Sequence, residues 1–168
     1  MRIWLTLMAF CTLWTLSSGA KADIYKEVNA LVQAGQWKAA QSLTDERLKT
    51  SPTDPQMRLL KSHIQTGMGQ FSDAADTLRA LTLSFPELPE PHNNLAALLA
   101  RENRHEEALS ALNAAIRARP DYALALENMG DLYLALATKA YAQALRVSPS
   151  LQRLQNKQTL TENILKAP

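Results

Sequence analysis

Apolar residues along this chain recur every three to four positions, the spacing that brings side chains onto one face of a helix. Leu95, Leu98 and Leu99 form one such stripe, Arg101 to His105 interrupt it with a polar break, and Ala108, Leu112, Ala115 and Ile116 form a second. No stretch shows the strict alternation of a half-buried strand. The pattern predicts helix, tight turn, helix, and it repeats. Pro52, Pro86 and Pro120 stand 34 residues apart, as do Ala40, Ala74 and Ala108. Trp37, Phe71 and His105 hold a third column three residues before each alanine, and Gly35, Gly69 and Asn103 a fourth, two residues earlier again.

Each column has a physical reason. A small alanine lets two crossing helices approach to the short end of the usual interaxial range, roughly 8–10 Å. Glycine, or asparagine in its place, ends the first helix in the left-handed conformation at little cost. Proline disfavours helical geometry in the residue before it and so closes the second helix. The expected architecture is therefore all-α, a solenoid of helical hairpins with units at about 21–54, 55–88 and 89–122. A truncated fourth unit covers 123–149, and a capping helix and tail follow over 150–168.

The fourth unit breaks the period, because Pro149 follows Pro120 by only 29 residues. The loss falls on the turn: Leu132 to Tyr141 contain neither Gly nor Pro. Two structures satisfy this, a hairpin compressed near Ala137 and Thr138 or one continuous helix from about Ala123 to Val147. The run of strong helix formers favours the continuous helix. A last helix is expected over roughly Leu151 to Leu165.

These columns resemble the tetratricopeptide repeat, a 34-residue helical hairpin with small or apolar residues in its first helix, Gly at the turn, an aromatic residue after it, Ala in the second helix and Pro at its end. The third unit fits best, through Leu95, Ala96, Leu99, Ala108, Leu112, Ala115 and Pro120. The resemblance runs over roughly residues 23–149 and implies a short right-handed superhelical stack. It also implies departures. Lys61 and Gln65 stand where the second unit should be apolar, while Leu60, Ile64 and Met68 make a stripe one residue out of step, so a rotated or displaced helix is expected there. Glu27 breaks the first unit's pattern at an end of the stack, where exposure is tolerated.

Ahead of the repeats, Arg2, the apolar run Ile3 to Leu16 and the small residues Ser17 to Ala22 read as a secretory leader cleaved after Ala22. The run is shorter than the roughly 18–20 residues that a membrane-spanning helix needs. Cys11 lies inside it, behind Phe10, which disfavours a lipoprotein. Cleavage removes Cys11, Trp4 and Trp14 and leaves Trp37 as the one tryptophan, in a domain that is stable by packing and not by disulfides. It also removes Arg2 and Lys21, so 18 basic residues become 16 against 16 acidic ones. Near-zero net charge gives no reason to expect a nucleic-acid partner. The expected location is outside the inner membrane, in the periplasm of a Gram-negative host.

Catalytic chemistry finds no foothold in the sequence. His63, His92 and His105 fall in three different repeats, and His105-Glu106-Glu107 lacks the second histidine of a zinc-protease helix. His105 holds the aromatic column and reads as a packing residue before an acidic helix start. No phosphate loop, calcium loop or dinucleotide fingerprint is present. No enzyme activity, cofactor or metal is expected. A hydrolase or metal-dependent enzyme would need His63, Glu90 and Asp131 to converge.

The resemblance implies instead that a polypeptide lies in the concave groove lined by the first helix of each unit. Carried onto this chain, the groove residues are Asn29, His63, Asn93, Asn94, Arg101, Glu127, Asn128 and Asp131, with Tyr25, Gln33, Leu59, Thr66, Glu90 and Ala97 beside them. Asn94 and Asn128 stand out, 34 residues apart, since a side-chain amide carries both donors and an acceptor and can pair with any extended backbone. The alternative for both is an amide bonding within its own scaffold. Glu90, Glu127 and Asp131 against Arg101 make the far half of the groove acidic, suited to a basic or neutral segment. The C-terminal section leans the other way, with Lys139, Arg146, Arg153, Lys157 and Lys166 against Glu162, and is read as a solvated face. The expected function is a non-enzymatic adaptor or scaffold holding another protein. A permanent subunit of an envelope or secretion assembly is the alternative, and membrane contact is limited to the uncleaved leader or a weak surface interaction.

Overall fold

The computed structural model describes residues 24–166, and the leader assigned to residues 1–22 lies outside them. The described residues form helices α1 (24–33), α2 (Trp37–Thr50), α3 (Pro55–Gly67), α4 (Phe71–Ser84), α5 (Pro89–Arg101), α6 (His105–Ala118), α7 (Ala123–Val147) and α8 (Gln152–Leu165). No strand occurs among them. Two compact units divide the chain, one through Thr77 and the other from Leu78 onward.

The turn columns behave as their chemistry requires. Gly35, Gly69 and Asn103 have φ of 67°, 77° and 60°, all left-handed. At each, two backbone bonds close the helix end: Gly35 N–H to Val32 and Gln36 N–H to Leu31, Gly69 to Thr66 and Gln70 to Gln65, Asn103 to Ala100 and Arg104 to Leu99. This paired pattern satisfies carbonyls that a helix end otherwise leaves open. Asn103 shows why asparagine substitutes: it is the one non-glycine residue with positive φ among the described residues. The prolines stand two residues beyond α2, α4 and α6. All three column alanines, Ala40, Ala74 and Ala108, are fully buried.

In the first unit Val28, Val32, Ala40, Met57 and Ile64 make the core, with Leu31, Trp37 and Leu43 packed against it. Trp37 comes so close to α3 that a β-carbon on Gly67 would stand 2.5 Å from its ring. Asp54 joins three helices. It caps α3 by accepting from the Met57 N–H at 3.1 Å, accepts the Tyr25 hydroxyl of α1 at 2.6 Å, and lies 3.8 Å from the Arg47 guanidinium of α2. Burial, followed by that bond to Asp54, pushes the Tyr25 hydroxyl above its ordinary pKa.

The out-of-step helix of the second repeat finds partners for its polar residues. Gln65 is buried, and its Oε1 accepts from the Thr77 hydroxyl at 2.9 Å. Lys61 reaches Asp45 on α2 at 2.7 Å. A buried amide with a partner costs little compared with one left unpaired, so the departures from an apolar pattern are absorbed without loss of the hairpin.

In the second unit α5 and α6 pack along their length, α7 leans on α6 and to a smaller extent on α5, and α8 folds back along α7. Leu95, Leu98 and Leu99 of α5, Leu112 and Ala115 of α6, and Ala125 and Leu132 of α7 are buried. The acidic start of α6 is held by Arg104, whose guanidinium donates to both Glu107 oxygens at 2.7 and 2.6 Å and to Glu102 at 3.1 Å. Those bonds raise the Arg104 pKa and lower that of Glu107. The fourth unit is one continuous helix of 25 residues, α7, with no compressed hairpin at Ala137.

Candidate functional site

The second unit contains a cleft of about 290 Å³ whose walls come from four helices. Helix α5 supplies Ala96, Ala97 and Ala100, small residues on adjacent turns that leave room above the helix. Helix α6 supplies His105 and Leu112, and α7 supplies Asn128, Asp131, Leu132 and Ala135. Leu165, near the end of α8, closes one side. The lining is apolar apart from Asn128, Asp131 and His105, whose Nδ1 is enclosed without a hydrogen-bond partner.

Asn128 is held in a fixed orientation. Its Nδ2 donates to Asn93 Oδ1 at 2.8 Å, and Asn93 Nδ2 donates in turn toward Asn94 Oδ1 at 3.4 Å. Asn93 is only 2% exposed. This relay has a direction, because each amide offers its NH₂ to the next oxygen. It leaves the Asn128 oxygen as an acceptor at one end and the Asn94 NH₂ as a donor at the other.

The residues expected in the groove therefore separate. Asn128 and Asp131 line the cleft together with Ala97. Asn93 is a correction: it is too buried to meet a partner, and its part is to orient Asn128. Asn94 is half-buried and outside the lining. Glu127 and Arg101 are exposed and also outside the lining, and Glu90 is engaged by Arg119 at 3.0 Å. In the first unit Asn29 bonds back to the Tyr25 carbonyl at 2.8 Å, and the His63 ring lies 6.2 Å from that of Trp37. Among the described residues no three His, Cys, Asp or Glu side chains gather as a metal site would require. His105 lines the cleft as well as packing beside the turn, and no sequence pattern indicates that Leu165 would reach it.

One consequence is a stability effect at Asn128. Asn128→Ala strands the Asn93 oxygen in the interior without its donor, a loss worth about 1–3 kcal/mol. Thermal unfolding should register it as a lowered Tm, whereas an unchanged Tm would mean that the relay contributes nothing.

Residues 59–123 match the family described as tetratricopeptide repeat. Over that stretch the chain is similar to tetratricopeptide repeats. A curated relative, the TPR repeat-containing thioredoxin TTL4 of Arabidopsis thaliana, is 40% identical over 90 residues, which is 51% of this chain and 13% of that protein. The chain thus spans about an eighth of the relative's length. Among solved structures, a thermophilic TPR protein of Thermus thermophilus is similar with a TM-score of 0.64 at 23% identity, covering 86% of this chain and 82% of that one. MamA is similar with a TM-score of 0.60 at 18% identity, over 84% of this chain and 80% of its own. The type III secretion translocator chaperone SycD of Yersinia enterocolitica gives 0.59 at 16% identity, over 80% and 88%. At such identities the likeness is one of fold, an all-α arrangement of tetratricopeptide-type hairpins.

Proposed function

We propose that this protein is a non-enzymatic binding module that holds a segment of another polypeptide in the cleft of its second unit. The observation that carries the reading is the Asn93–Asn128 bond beside an apolar, alanine-floored cleft. An oriented amide oxygen accepts a backbone N–H from any extended chain, and the alanines leave space for the side chain that follows it.

The N-terminal residues add an address to this reading: export through the leader, cleavage after Ala22 and residence in the periplasm or cell envelope of a Gram-negative host. No described helix is long and apolar enough to cross a membrane.

Ala97 offers a clean test, because it lines the cleft and is exposed. Ala97→Trp should fill the cleft with a stability change within about 0.5 kcal/mol, as for other surface substitutions. A photo-crosslinking residue in place of Ala100 is then expressed in living cells, with and without Ala97→Trp, and intact mass is checked for a mature start at Asp23. The expected result is a discrete protein adduct whose yield falls at least tenfold in the blocked variant. Equal adducts from both would place binding elsewhere.

A further inference from the structure

Two carboxylates stand beside the cleft without an ion-pair partner. Asp131 lines it, and Glu127 stands one turn earlier on the same face of α7. Both are exposed. Three other carboxylates of this unit are ion-paired: Glu90 with Arg119 at 3.0 Å, Glu102 and Glu107 with Arg104 at 3.1 and 2.6 Å. No Lys or Arg lines the cleft to balance Asp131. The negative charge is therefore local and uncompensated, next to an apolar depression and one oriented amide oxygen.

We propose, building on the cleft reading above, that the occupant is an extended polypeptide segment with an aliphatic side chain next to a Lys or Arg. The aliphatic group fills the space over Ala96, Ala97 and Ala100, against Leu132 and Leu165. Its backbone N–H donates to Asn128 Oδ1. The neighbouring cation lies against Asp131, with Glu127 one turn along. Two i,i+4 carboxylates repel each other when unpartnered, and a cation between them removes that repulsion as well as adding attraction. An acidic segment would meet both charges and be rejected, which makes the pair a selectivity device more than a source of affinity. The contribution falls with salt, because both carboxylates reach solvent.

The test is selection from a displayed library of random dodecapeptides on the purified protein, run in parallel on Asp131→Lys and on Ala97→Trp. The unmodified protein should enrich Leu, Ile or Val with Lys or Arg within two positions. Asp131→Lys should keep the aliphatic preference and exchange the basic neighbour for Asp or Glu, and Ala97→Trp should enrich neither. With a selected peptide made synthetically, fluorescence anisotropy should show Lys→Glu weakening binding at least tenfold on the unmodified protein and less on Asp131→Lys. An aliphatic preference with no charge preference, or a charge preference that Asp131→Lys leaves unchanged, overturns this proposal while the cleft remains the binding site. No enrichment at all, or the same peptides on Ala97→Trp, overturns the cleft reading and this proposal with it.

Discussion

Ala108→Asp is expected to lower the stability of the protein by about 3–5 kcal/mol, the usual cost of leaving a charge uncompensated in an interior. Ala108 is completely buried where α5 and α6 pack along their length. Its methyl group is what the crossing tolerates, and a carboxylate there is shut away from water. For a chain of this size about 1 kcal/mol corresponds to roughly 2–4 °C, so Tm should fall by about 6–20 °C when unfolding is followed by circular dichroism. Ala108→Ser should cost far less, since its hydroxyl can bond to a carbonyl one turn back on its own helix. Acidity should separate charge from bulk. A buried carboxyl has its folded-state pKa raised above the unfolded value near 3.9, so the folded state holds the proton longer. The penalty should then be small near pH 4 and grow as pH rises toward 8. A penalty independent of pH would point to steric overpacking alone, and an unchanged Tm would remove Ala108 from the helix crossing.

The parts of the fold that were legible in the sequence are those where one residue type answers one geometric demand. Gly35, Gly69 and Asn103 mark left-handed turns because few other residues adopt positive φ without strain. Ala40, Ala74 and Ala108 mark close crossings because a larger side chain would separate the helices. Where a demand has several answers, the sequence left the outcome open. Lys61 and Gln65 read as a sign of a rotated or displaced helix, and Asp45 and Thr77 are the partners that receive them. Nothing local to residues 61–65 announces those partners, which lie 16 and 12 residues away.

The site was less legible than the fold, for the same reason. A spacing of 34 residues singles out Asn94 and Asn128 as equivalent, but hydrogen bonding follows contact between neighbouring helices and not equivalence in the repeat. Asn128 therefore pairs with Asn93, 35 residues away. Asp131 and Ala97 could be placed on the cleft from the repeat pattern alone, whereas Leu165 comes from a helix outside the period and is brought there by the fold of α8 along α7. The amide relay changes what Asn128 can offer: one of its two N–H donors is taken by Asn93, and its oxygen is left as an acceptor.

Ala137→Pro tests the feature in which this chain departs furthest from its own period. Proline within a helix removes a backbone hydrogen bond and clashes with the preceding turn, at a cost of about 3 kcal/mol or more, while at a turn it is readily accommodated. Ala137 lies in the interior of α7, which runs unbroken over 25 residues, about 37 Å at 1.5 Å per residue. The exposed side chains of α7 agree with a continuous helix. Tyr133 is 54% exposed and Leu126 49%, although the repeat pattern would cover them with a returning helix; α7 runs straight on, and α8 returns only from residue 152. The back half of α7 is instead the surface on which α8 rests, with the Lys157 ammonium 5.6 Å from the centre of the Tyr141 ring and Thr161 buried. A break at residue 137 should therefore release α8 as well. The expected result is a loss of helical signal in far-UV circular dichroism, new protease cleavage around residues 136–138 and a lowered Tm. Ala137→Gly should cost only about 1 kcal/mol. Since Leu165 closes the cleft, Ala137→Pro should also weaken capture of a segment by the cleft, although it touches no lining residue's chemistry. A proline variant with unchanged helicity and Tm would establish a turn at Ala137 and restore the compressed hairpin.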